Sequence, residues 1–260
     1  MTLEAYPCPS GCLSPNTRVA KLSAVMRDRA VTAIWRSLAL AAGLLALAAV
    51  PRDGIAQDSR HSGDTLVLQG GQGEVYIAGL PRGWDLGFQE SNEIGHHLEW
   101  VPKGQPVKDW RDMIAFQLFP KLIDVQPAQF LTKMADHYAQ SCDQVLATDI
   151  EGTPANGYPG ALRVLACTKN KVTGMGEVTL FRAVMGKEAF YVAQRAWRMQ
   201  PFSPEAIPVT GDQLDAGRKT IEYGVACRSN TAGSPCPPGW DPVLSRIDGT
   251  KPSVIYKAKN

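Results

Sequence analysis

The sequence predicts an α+β domain: an antiparallel β-sheet of about six to eight strands with two main helices packed on one face. Three observations carry this. Short segments rich in β-branched and aromatic residues recur between residues 65 and 197, separated by turn formers. Only two stretches change to a helical period. Strands adjacent in sequence are joined by short links, which favours antiparallel pairing over the βαβ crossover of nucleotide-binding folds.

In chain order, TLVLQ (65–69) and EVYIAGL (74–80) flank a Gly70-Gly71-Gln72-Gly73 turn. WDLGFQE (84–90) and HHLEWV (96–101) follow around a Ser91-Asn92 turn, and Pro102-Lys103-Gly104 ends the second. RDMIAFQLF (111–119) has the apolar centre of a further strand. The period then changes. In QPAQFLTKMADHYAQSC (126–142), Phe130, Leu131, Met134 and Tyr138 form an apolar stripe, and Pro127 suits a first helical turn. QVLATDI (144–150), ALRVLACT (161–168), EVTLFRAV (177–184) and AFYVAQRAW (189–197) return to strand character. The last two make a hairpin, with Gly186-Lys187 as its two-residue turn. A second helix is expected over 211–226. Thr210 and Gln213 have capping-box spacing, and Leu214, Ile221 and Val225 supply its stripe. Residues 239–260 are Pro-rich, then polar and basic, and read as a loosely attached tail. The domain therefore spans 57–238.

Upstream of the domain, residues 37–50 (SLALAAGLLALAAV) are fourteen uncharged, mostly apolar residues, preceded by Arg27, Arg29 and Arg36. Gly54-Ile55-Ala56 follows with small residues where a signal peptidase reads. A basic start, an apolar run of about 7–15 residues and a small-x-small end describe a secretory signal. A membrane span needs about 20 apolar residues, so no stable anchor is expected after cleavage. A buried core helix is the competing reading, and the Arg flank opposes it. Met26 opens a signal of ordinary length over 26–56, which leaves 1–25, with Cys8 and Cys12, as an extension outside it. Cleavage near Ala56 gives a periplasmic or secreted chain.

Of 27 Lys/Arg and 25 Asp/Glu, six and three lie in residues 1–56, so the expected mature chain carries 21 basic and 22 acidic side chains. It has no basic stripe, and nucleic acid is not an expected partner. Its four cysteines, Cys142, Cys167, Cys227 and Cys236, are even in number in an exported chain, which favours disulfides. Nearest-neighbour pairing, Cys142–Cys167 and Cys227–Cys236, is preferred. The C-x24-C and C-x8-C spacings lack the short knuckle of a zinc site.

The chemistry-bearing residues are few. Within HHLEW, strand alternation sends His96 and His97 to opposite faces, so the pair cannot readily chelate one ion. His97 shares a face with Glu99, and Leu98 and Trp100 share the other. His97 and Glu99 read either as a solvent-facing polar row or as two members of a site. No nucleophile elbow, zincin motif, phosphate loop or calcium loop is present. No cofactor, metal or catalytic residue is therefore expected. QRAWRMQ places Arg195, Trp197 and Arg198 together at a strand end. They read as core Trp with surface Arg, or as part of a binding patch with His97 and Glu99, because Trp and Arg dominate interface hot spots.

The run GLPRGWDLGFQE…HHLEWVPKG…VKDW, with the order of elements, resembles small exported bacterial domains of the PsbP/Mog1-like type over about residues 74–226. The resemblance implies an antiparallel sheet backed by helices and a role in binding or assembly rather than catalysis. It supplies no site residues. The expected function is an exported, non-enzymatic module that binds a protein or envelope component. The alternatives are a periplasmic inhibitor or immunity-type protein, and an envelope hydrolase using His97 with Glu99.

Overall fold

The computed structural model describes residues 64–71, 73–120, 122–228 and 232–238, and the backbone of a strand at 253–257. The expected signal peptide, the 1–25 extension and most of the expected tail lie outside these residues.

Two antiparallel sheets face each other. The large sheet has the strand order β3 (Trp84–Ser91), β4 (His96–Pro102), β5 (Asp112–Phe119), β10 (Phe190–Met199), β9 (Gly176–Met185), β8 (Gly160–Cys167), β6 (Val145–Ala147), with the two-residue β7 (Glu151–Gly152) also on β8. The small sheet runs β11 (Val225–Arg228), β2 (Glu74–Gly79), β1 (Thr65–Gly71), β12 (Ser253–Lys257). Helix α1 is Pro127–Ser141 and α2 is Gly211–Glu222. The α+β class and the antiparallel sheet agree with the sequence reading. Within the described residues, no helix is long and apolar enough to cross a membrane.

Strand alternation builds the layers. On β9, Leu180 and Val184 join the main core with Leu98, Trp100, Phe116 and Tyr191 of neighbouring strands and Leu66, Leu68 and Tyr76 of the small sheet. Tyr76 stacks on Tyr191 with centroids 5.3 Å apart, and Trp100 meets Phe116 edge-on at 5.8 Å. Phe181 and Ala183 point the other way and receive Leu131 of α1. The side of the small sheet facing away from the main core holds Val67, Val75 and Ile77 under the Cys227–Cys236 loop.

The two helices therefore lie on opposite faces of the large sheet, against the expectation of one. α1 packs through Tyr138 edge-on to Phe181, whereas α2 is gripped by Arg182, the next residue on β9. The Arg182 Nη1 donates to the carbonyls of Ile221, Glu222 and Gly224 at 2.7–3.0 Å. A buried guanidinium is thus met by the negative end of a helix. α2 also approaches closely because Gly217 faces the sheet; a Cβ there would lie 2.6 Å from the Trp197 ring.

Three boundaries differ from expectation. The second helix begins at its Thr210–Gln213 capping box but stops at Glu222 rather than 226. At Gly224 a Cβ would lie 1.8 Å from the Tyr76 hydroxyl, and the chain turns there into β11, which pairs with β2. The 253–257 segment of the expected loose tail is a strand paired with β1, from Thr65↔Lys257 to Gln69↔Ser253. In the β9–β10 hairpin, Gly186 N donates to Ala189 O, so Lys187 and Glu188 are the central residues rather than Gly186 and Lys187.

That hairpin is held by the fully buried Glu74 of β2. Its carboxylate accepts from Lys187 N (2.7 Å), Glu188 N (3.2 Å) and the Tyr191 hydroxyl (3.0 Å). Both disulfides form as preferred. Cys142–Cys167 ties the end of α1 to β8, and Cys227–Cys236 closes the loop after β11.

Burial pushes the Tyr191 hydroxyl well above the usual tyrosine range, with the Glu74 charge adding to it. Burial does the same to Tyr138, with Glu177 adding. Both are neutral in the folded state at pH values where an unfolded chain ionises. Their contribution to stability is complete below the unfolded tyrosine pKa and is lost as pH rises beyond about 10. Thermal melts from pH 8 to 11 should show Tm falling steeply above pH 10, and the fall should be shallower for Tyr191→Phe.

Candidate functional site

β3 is an exposed strand. Trp84 at its start is half-buried, and every residue from Asp85 to Ser91 is exposed. Among the described residues the strand pairs with β4 alone, from Trp84↔Pro102 to Ser91↔His96, with a bulge between Leu86 and Phe88. It forms a wing that α1 does not reach. The opposite edge is different: β6 is three residues long and contacts α1.

Register fixes what the wing presents. One face carries Phe88, Glu90, His97, Glu99 and Gln117, since Phe88 pairs with Glu99, Glu90 with His97 and His97 with Gln117. The other face sends Leu98 and Trp100 into the core. His97 Nε2 lies 3.2 Å from Glu99 Oε1, both side chains are partly exposed, and Phe88 packs edge-on to the imidazole at 5.7 Å. At the hairpin tip, the Asn92 side chain accepts from Ile94 N and Gly95 N. This turn leaves Ile94 72% exposed. An open pocket of about 170 Å3 sits there, lined by Glu90, Ile94, Gly95, His97, Gln117 and Phe119.

His96 lies on the opposite side of β4 and contacts the Ser91 hydroxyl at 2.7 Å. The two histidines are separated as alternation requires, and His97 and Glu99 are adjacent. The rest of the sequence-derived patch does not join them. Arg195 and Trp197 lie on the core side of β10. Arg195 is ion-paired to Asp112 at 2.7 Å, with its guanidinium 4.5 Å from the Trp84 ring and 5.4 Å from Trp197. Arg198 lies on the other side, 3.9 Å over the Trp110 ring and 3.6 Å from Glu177. QRAWRMQ is thus split between two faces, Arg195 and Trp197 on one and Arg198 on the other. Burial raises the Asp112 carboxyl above the usual range, opposed by the Arg195 charge.

A second, polar cavity of about 190 Å3 lies where α1 meets β8 and β9, lined by His137, Tyr138, Ser141, Asn170, Glu177 and the Cys142–Cys167 bridge. The Tyr138 hydroxyl donates to Glu177 at 2.7 Å and lies 3.0 Å from Thr179 Oγ1, so these groups already satisfy one another. Among the described residues, no three His, Cys, Asp or Glu side chains come together to hold a metal.

Phe88, Ile94 and Gln117 did not stand out in the sequence. Pairing HHLEW with its two neighbouring strands is the step that places them beside His97. No family model matches the chain, and no curated protein matches it in sequence.

The His97–Glu99 contact is partly solvent-exposed, and exposed pairs contribute about 0–1 kcal/mol. His97→Ala should therefore leave the denaturant midpoint nearly unchanged. A loss above about 2 kcal/mol would make His97 a structural residue, because only buried or networked groups cost that much.

Proposed function

We propose that this chain is an exported, non-enzymatic binding or assembly module that engages a protein or envelope component through the β3–β4 wing. The observation that carries the reading is β3 itself: a long edge strand exposed from Asp85 to Ser91, with Leu86 at 36% and Phe88 at 39% exposure. Unpaired backbone groups of a long edge strand recruit other chains, and exposed apolar side chains beside them mark an interaction site. The two disulfides support an oxidising compartment, as does the leader-like sequence ahead of the domain.

An envelope hydrolase is the second reading, and the His97–Glu99 contact is what favours it. It requires His97→Ala to abolish an activity, whereas the binding reading requires only that partner contact weaken.

Photo-crosslinking in the producing cell separates the possibilities. A photoreactive residue at Ile94, on the wing, should give a discrete adduct of added mass. The same residue at Val172, which is 91% exposed but distant in the sheet from the wing, should not. No adduct from position 94, or equal adducts from both, would contradict the proposal.

A further inference from the structure

We infer that the edge of β3 accepts, as an added β-strand, an extended segment of a partner protein whose one face carries an apolar residue flanked two positions away on each side by Lys or Arg. This rests on the binding reading above and names the chemistry of its partner.

Backbone geometry supplies the template. In an antiparallel pair, alternate residues of an edge strand turn their N–H and C=O away from the neighbour. Asn92 N donates to Gly95 O, which closes the hairpin with a bonded pair. Counting back from it, Ser91 and Gln89 fall at the outward-facing positions. Strand addition there needs no rearrangement of β4, and main-chain bonds of this kind give affinity while alternate side chains give specificity.

Charge selects the occupant. From Trp84 to Pro102 the hairpin holds four acids (Asp85, Glu90, Glu93 and Glu99) and no Lys or Arg; Arg82 and Lys103 lie beyond its ends. Edge strands are ordinarily guarded by Lys, and this one has none. Asp85 and Glu90 share a face with Phe88 between them, as their partners Val101, Glu99 and His97 show. An added strand with basic residues flanking an apolar one matches that acid–aromatic–acid row. Cross-strand pairs of opposite charge stabilise a sheet, and like charges directly opposite destabilise it. A second copy of the chain is the wrong occupant for the same reason, since its β3 would bring further acids to an acidic row.

The exported protein, immobilised, is used to select from a displayed library of random peptides. Recovered sequences should carry Lys or Arg two positions before and two positions after an apolar residue, and should exclude Asp and Glu. Their affinity should fall about tenfold or more for the doubly substituted Asp85→Lys/Glu90→Lys protein, and should fall as salt is raised. Both substituted side chains are exposed, so the fold is retained. Gln89→Pro, which removes an outward-facing donor, should weaken binding without reversing charge preference. Three results overturn the inference: recovered sequences without the basic-x-apolar-x-basic spacing, affinity indifferent to both variants, or self-association of the protein through β3. If adducts still form from position 94 in cells, any of these leaves the binding reading standing and removes only this one.

Discussion

The position of α2 depends on one buried cation. Arg182 sits in the middle of β9, 4% exposed, with Phe181 and Ala183 turned to the opposite face. Its guanidinium is compensated by three carbonyls at the end of α2, at 2.7–3.0 Å. A buried charge left without such partners costs several kcal/mol, so this contact leaves few places for the helix to dock. The third carbonyl belongs to Gly224, where the chain leaves α2 and starts β11. The interaction therefore also sets where the small sheet begins. Glu74 answers from the other side, holding the β9–β10 hairpin through two backbone N–H groups and a tyrosine hydroxyl. Two buried charges of opposite sign, each hydrogen-bonded within the fold, clamp the sheets together.

That clamp lies over β9 and β10 and leaves β3 outside it. The core is densest where the small sheet, α2 and the central strands meet, and α1 covers the opposite face over β8 and β9. β3 pairs with β4 along its length, and it also has contacts at Trp84, over which Arg195 stacks, and at Gly87, which faces Val107. The contacts that hold the fold together are thus separated in space from the proposed interaction edge. The wing has edge-strand backbone groups, exposed apolar side chains and uniform negative charge, and the fold does not consume them.

Local rules made much of this legible. Alternation separated His96 from His97 and joined His97 to Glu99; Thr210 and Gln213 announced the start of α2; and the even cysteine count with nearest-neighbour pairing agreed with both disulfides. What was not legible depends on distant partners. Nothing in LFRAV marks Arg182 as buried, because its partners lie about forty residues away, and the hairpin held by Glu74 is more than a hundred residues from it. The strand at 253–257 carries a local signal in Val254-Ile255-Tyr256, which the surrounding Pro-rich and polar composition outweighed. The same alternation applied to QRAWRMQ separates Trp197 from Arg198; the cluster looked like a patch because its letters are adjacent, while a strand puts adjacent letters on opposite sides.

Hydrogen exchange of the β3 amides, with and without extract of the native envelope, tests the central claim most directly. Slowed exchange at Gln89 and Ser91 on adding the extract, with β6 unchanged, is the expected result. Equal exchange at those amides in both conditions, or protection confined to another face of the molecule, would contradict β3 as the interaction edge.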